Sequence, residues 1–293
     1  MSTDQNGTRK KTSPSSEIMK KYFITALVFL ATTTAFAQKK HKNTQPPSST
    51  TDSTTNAAKT PATTTQPVVG PAKPKKDWSK VNLAKRAADH FMFTLGYDNW
   101  IGANDSINIK GFNHSEGFYF MYDFPFKTDP RFSVGAGLGI FSSNIYFDQT
   151  YPQVTAYNNA TLAFANVSGS SGTFKKIKLV TTFLEIPLEL RFALDPEHMD
   201  KSWKVAVGAK LGLLLSAYTK AVDPTGPGGN VVAHQSIKES SKQFFSGPEF
   251  APTVRVSKGV FGVYARIQAN SLLKSGAGPS IFPVSFGFVL SGL

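Results

Sequence analysis

"TTFLEIPLELRFAL", Thr181 to Leu194, places Leu184, Ile186, Leu188, Leu190, Phe192 and Leu194 on every second position and Glu185, Glu189 and Arg191 between them. A period of two is a β-strand with one fully apolar face. Three ionised groups are many for a protein interior, and six large apolar groups are many for a surface in water. The strand therefore poses a question of sidedness that the rest of the chain must answer.

The pattern recurs along the chain. Alternating or apolar runs occur at about His90 to Trp100, Phe112 to Phe124, Phe132 to Tyr146, Val180 to Leu194, Trp203 to Tyr218, Glu249 to Val256, Phe261 to Asn270 and Ile281 to Leu290. These predict eight strands, several of them at or above the ~9–11 residues a tilted strand needs to cross a bilayer. Their connections alternate in length. PFKTDPR, DPEHMDKS and SKG follow the second, fourth and sixth strands, whereas Ile101 to Gly111, Phe147 to Leu179, Thr219 to Pro248 and Ser271 to Ser280 follow the others. Short turns at one end and long loops at the other are the layout of an antiparallel up-and-down barrel in an outer membrane, termini on the periplasmic side. No run of ~18 apolar residues occurs after residue 37, so no spanning helix is expected.

Sidedness then follows from what shares the second parity. In the fifth strand Trp203, Val205, Val207, Leu211 and Leu213 oppose Lys204, Gly208, Lys210 and Gly212; in the third, Phe132, Val134, Leu138 and Ile140 oppose Ser133, Gly135, Gly137 and Gly139. Glycine is a poor choice on an exposed strand face but suits a narrow lumen, where it makes room for long neighbours. The charges of that parity balance: Asp98, Asp123, Glu185, Glu189 and Glu249 against Arg191, Lys204, Lys210, Arg255 and Arg266. Such a set can pair in an enclosed space, as buried charges must. Tyr97, Trp100, Tyr122, Tyr146, Trp203 and Tyr218 fall near strand ends, where aromatic girdles meet headgroups. The expected fold is an all-β, eight-stranded antiparallel transmembrane barrel over residues 86–293, leucines to lipid and ten ionic groups in the lumen. The rival with the same period is a secreted, soluble, lipocalin-like barrel holding a hydrophobic ligand in an apolar lumen.

The N-terminal region agrees with export. From Met19 the chain reads MKKYFITALVFLATTTAFAQ: two lysines, an apolar run too short to span, and Ala35-Phe36-Ala37 as a cleavage site. Residues 1–37 are expected to be a signal peptide with an N-terminal extension, residues 1–18 being either an upstream start or a long leading region. Residues 38–85, rich in Thr, Pro and Lys, offer little apolar surface to offset ordering and are expected to be a disordered tether. These segments also hold most of the charge. Of the formal +13, residues 1–37 carry five basic against two acidic groups and residues 38–80 eight against two, which leaves +4 for the rest. A near-neutral folded part gives nucleic acid no basic face to bind. Absence of cysteine excludes a disulfide scaffold and a thiolate metal site.

FLEIPLELRF, Phe183 to Phe192, with FSVGAGLGIF, Phe132 to Phe141, and the closing FPVSFGFVLSGL resembles the PorT-like outer-membrane β-barrel family of Bacteroidota-type envelopes over about residues 88–293. The resemblance implies location and fold, and through a few members a place in secretion or gliding machinery. One departure is the end of the chain: such barrels commonly end in an aromatic residue, whereas this one ends in Leu293 with Phe288 five residues before it.

Nothing in the sequence predicts catalysis, a cofactor or a metal. No G-x-S-x-G, H-E-x-x-H or phosphate loop is present, and TGPGG, Thr225 to Gly229, lacks a phosphate cradle's lysine. In NHSEG, Asn113 to Gly117, His114 and Ser115 are adjacent on a strand and so point to opposite faces. Ten charges in an eight-stranded lumen would plug it rather than conduct. The expected partners are outer-membrane lipid and, through the long loops, another envelope component or an extracellular ligand, with Tyr151, Tyr157 and Phe164 as candidate contacts and a purely structural barrel as the rival reading. The loop after the third strand is read as a graft on a finished barrel, such that deleting residues 150–176 would leave the barrel folded. That after the fifth is read as mobile.

Overall fold

The computed structural model describes residues 77, 90–167, 173–226 and 229–292. The expected signal peptide, all of the expected tether but residue 77, and Leu293 lie outside the described residues. Eleven strands follow in order: β1 Phe91–Ile101, β2 His114–Pro125, β3 Phe132–Phe147, β4 Thr150–Pro152, β5 Phe164–Asn166, β6 Thr173–Ala193, β7 Trp203–Thr225, β8 Ser236–Ser240, β9 Pro248–Lys258, β10 Phe261–Ile267 and β11 Phe282–Ser291. Eight of them pair antiparallel in the order β6-β3-β2-β1-β11-β10-β9-β7, and β6 pairs back onto β7 to close the ring. Closure leaves no unpaired edge, the condition for strands to cross lipid.

Sidedness is settled by exposure along β6. Ile186, Leu188 and Leu190 are 47%, 44% and 52% exposed, while Glu185 and Glu189 are 0% and 4% exposed. The same holds around the ring, with Phe118, Leu138, Val207, Val263 and Phe286 all outside. From Leu184 to Leu194 is ten steps of ~3.3 Å, and at a tilt of about 35–45° they rise ~25 Å, the height of an outer-membrane barrel's apolar band. A soluble barrel with an apolar lumen needs the opposite arrangement.

Glycine explains how so narrow a lumen holds long side chains. Glu185 has Gly139 and Gly212 as its register partners, and Glu189 has Gly135 and Gly208. A Cβ on Gly135 would meet the Arg191 guanidinium, and one on Gly139 the Tyr119 ring. At the turn end the β9–β10 hairpin closes on Gly259, whose φ of 59° is one that an L side chain rarely adopts.

β6 and β7 differ from their expected lengths. The strands run seven residues further toward the loop end on each side, from Thr173 and to Thr225, and β8 pairs with the extension of β7 through Tyr218–Ser240 to Val222–Ser236. The register shifts at Thr182/Phe183, which pair with Ser216 and Leu214. Leu215 is thus an extra residue on β7, and past it Ala217, Thr219 and Ala221 turn inward in place of the even positions. That change of parity ends the clean alternation, which is why the extension reads as loop in the sequence.

Candidate functional site

The ten ionic residues assigned to the lumen from sequence are all buried, Asp123 with a side chain 6% exposed. Eight of them form two stacked layers. In the upper layer Lys210 Nζ donates to the Tyr119 hydroxyl at 2.6 Å, which donates to Glu185 Oε2 at 2.8 Å. Arg266 donates to Glu185 Oε1 at 2.7 Å and to Glu249, and its guanidinium lies 3.8 Å from the centre of the Phe141 ring. In the lower layer Glu189 Oε2 accepts from Arg191 Nε at 2.9 Å and from Arg255 Nη2 at 2.8 Å, while Arg255 Nη1 donates to Ser291 at 2.9 Å. Arg191 also faces Asp123 at 3.5 Å. Asp98 accepts from Ser143, and Lys204 is buried at the turn end. Six strands contribute to the two layers, so the network is a cross-brace of the whole cylinder. Tyr119 was not foreseen as a member. Its parity with Asp123 on β2 was the available signal.

The loop-side half of the lumen has a different content. Trp100, Ile145, Phe147, Ile177, Leu179, Phe183 and Leu214 point inward from the strands and form one apolar cluster with side chains from all four long loops. The β1–β2 loop supplies Ile107, the β3–β6 loop Tyr151, Val154 and Leu162, the β7–β9 loop Phe244 and Phe245, and the β10–β11 loop Leu272, Leu273 and Ala277. Loops also bond one another and the wall: Leu162 N–H donates to Ala277 C=O at 2.8 Å, Lys274 N–H to Phe244 C=O at 2.9 Å, and Thr219 Oγ1 on β7 to Pro152 C=O at 2.7 Å.

Several expectations change here. Trp100 is not a girdle residue: it shares the parity of Asp98, faces the lumen and packs edge-on against Phe147. Of the candidate loop contacts, Tyr151 is 9% exposed within the cluster, Phe164 packs against its edge, and Tyr157 is 68% exposed. Burial pushes the Tyr151 phenol up to about 12, helped by its hydrogen bond to the Glu239 carboxylate. The β3–β6 loop is accordingly part of the core and not a graft, because residues 150–176 include three cluster side chains, three more packed against them and the start of β6. The β7–β9 loop is largely β-hairpin and plug.

His114 and Ser115 are separated by the barrel wall. Ser115 is buried 3.4 Å from the Tyr264 hydroxyl, while His114 bonds the Phe112 carbonyl at 3.2 Å outside. Among the described residues, Asp195, Glu197 and His198 in the β6–β7 turn bring three potential ligand atoms within 4.8 Å of one another. His198 already pairs with Asp195 at 3.1 Å, and both side chains are largely exposed, which accounts for the grouping without an ion. A second turn pair, Arg131 bonded to Asp129, holds that carboxyl below its ordinary range.

A closed eight-stranded cylinder that is apolar outside and ionic inside defines an integral outer-membrane β-barrel protein. Residues 88–272 match the family described as outer membrane protein beta-barrel domain, and the chain belongs to that family. Among solved structures it is similar to Ail, the attachment invasion locus protein of Yersinia pestis, in complex with the heparin analogue sucrose octasulfate. The identity is 10%, the match covers 69% of this chain and 94% of that one, and the TM-score is 0.29. None of the curated proteins matches the chain.

Proposed function

We propose that the protein is a plugged, non-enzymatic outer-membrane barrel that works as an anchor and as a docking platform through its loop end, within the kind of envelope assembly that the PorT-like resemblance suggests. The observation that supports it best is closure of the lumen in series: two ionic layers crossed by direct hydrogen bonds, and an apolar plug to which every long loop contributes. Between the lower layer and the turn end, beside Arg191, Lys204 and Arg255, a void of about 10 Å³ has room for one water. Packing of this kind leaves a solute no route, whereas a rigid cap with polar, exposed positions such as Tyr157 gives a partner a fixed surface.

Planar-bilayer recording tests the reading. The refolded protein should insert without stable nanosiemens-scale conductance; regular channel steps from pure protein would refute a plugged lumen.

A further inference from the structure

Outside the barrel, toward the loop end of β3, β6, β7 and β8, the outward parity changes from apolar to cationic. The last lipid-exposed apolar groups are Ile140 on β3, Leu184 on β6 and Leu213 with Leu215 on β7; next come Ser142, Thr182 and Ser216, paired in register across the three strands, and then Val180, which shares this parity but is buried. Beyond them the register aligns Tyr146 with Lys178, Lys178 with Lys220, and Lys220 with Lys238. Three lysines thus lie directly opposite one another on adjacent strands. Like charges so placed destabilise a sheet. Among the described residues none of the three forms an ion pair. Lys178 donates to Asn144 at 2.8 Å beside the Tyr146 ring, and Lys238 sits 4.2 Å from the centre of the Tyr218 ring.

Beside this row is an open cavity of about 400 Å³, lined by the half-exposed or exposed rings of Phe112 and Tyr146 and by Lys110, Lys175 and Lys176, with the buried Phe147 at its back. Two carboxylates are near: Asp148 pairs with Lys110 at 2.9 Å, and Glu116 lies 3.9 Å from His114. They leave Lys175, Lys176 and the row of three as a cationic excess on one flank. The cavity is of ligand size, and flat aromatic walls suit the apolar faces of sugar rings.

Height selects the ligand. Lys178 is six residues beyond Leu184, a rise of ~15 Å for a tilted strand, which sets its register partner Tyr146 above the headgroup girdle expected of it. The headgroup layer of an ordinary bilayer is only about 5–8 Å thick on each side. A simple phospholipid phosphate falls short of the row, and a headgroup lengthened by sugars reaches it. The side chains also share the lateral, lipid-facing parity, so they address a neighbour in the membrane plane.

We propose that the Lys178–Lys220–Lys238 row and the adjoining cavity bind the phosphorylated saccharide headgroup of an outer-leaflet glycolipid, the row taking the phosphates and the aromatic walls the sugars. The site is lateral and does not depend on what the loop end binds.

The test uses the folded full barrel in zwitterionic detergent, titrated with a fluorescent rough-type lipopolysaccharide whose core sugars carry phosphate. Lys178→Gln/Lys220→Gln/Lys238→Gln removes charge repulsion, so it should keep the heat-modifiable folded band while weakening binding about tenfold or more. Dephosphorylated glycolipid should bind wild type as weakly as the phosphorylated form binds the variant, and millimolar inorganic phosphate should not displace it. Equal affinity of wild type and variant, or no loss on dephosphorylation, would overturn the proposal. Displacement by inorganic phosphate at matching affinity would overturn it in favour of a free-anion site.

Discussion

Glu185 shows what a single lumen residue does. Its two carboxylate oxygens accept from Arg266 and Tyr119, and Lys210 is 3.6 Å away, so it neutralises charge contributed by two other strands and takes a neutral hydrogen bond from a third. A buried network of this kind adds little stability over an apolar filling, but removing one member leaves uncompensated charge. Glu185→Ala is expected to destabilise the barrel by about 3–5 kcal/mol, read from urea unfolding in lipid vesicles, with Glu185→Gln milder because it keeps an acceptor for Arg266. Sequence made the ionic residues legible through parity alone: Glu185, Gly139 and Gly212 alternate strictly against leucines. Pairing within the set was not legible, since which guanidinium reaches which carboxylate depends on stagger between strands far apart in the chain, as for Glu189 and Arg255.

At the scale of elements, the β6–β7 hairpin carries two environments on one pair of strands. Below the bulge at Leu215 its outward face is mostly leucine and valine, and above it the face carries Thr182, Ser216, Tyr218, Lys178 and Lys220, with Val180 buried among them. The extension was hidden in sequence because the inward set changes from Lys204, Lys210 and Gly212 to Ala217, Thr219 and Ala221, and because Ile177 and Leu179 alternate with lysines that read as loop. The apolar plug was hidden for a related reason: Val154, Leu162, Phe244 and Leu272 have no common period, and only folding of four loops over one lumen brings them together. Tyr151 makes that docking testable. Its phenol is raised above the ordinary value near 10, so docking is favoured by the neutral form. The contribution is complete below pH 10 and lost as pH rises through about 12. Hydrogen exchange or limited proteolysis of the β3–β6 loop should show loosening across that window in wild type and not in Tyr151→Phe, which has no proton to lose.

For the whole molecule, the count of barrel strands, their order, the alternation of turn and loop lengths and the side that faces lipid were all readable from one-dimensional patterns, because closure forces every barrel strand to obey the same two-residue period, whereas the short β4, β5 and β8 read as loop. A charged lower lumen and an apolar upper lumen then make one closed cylinder out of side chains whose partners are distant in sequence. Everything said of membrane residence rests on the assignment of faces. The chain contains no cysteine, so single-cysteine variants from Phe183 to Ala193 can each carry one fluorophore in vesicles doped with a bilayer-embedded quencher. Labels at 184, 186, 188, 190 and 192 should be quenched strongly and those at 185, 187, 189 and 191 weakly or prove unreactive. Quenching that shows no alternation, or that peaks at the odd positions in a folded barrel, would contradict the account.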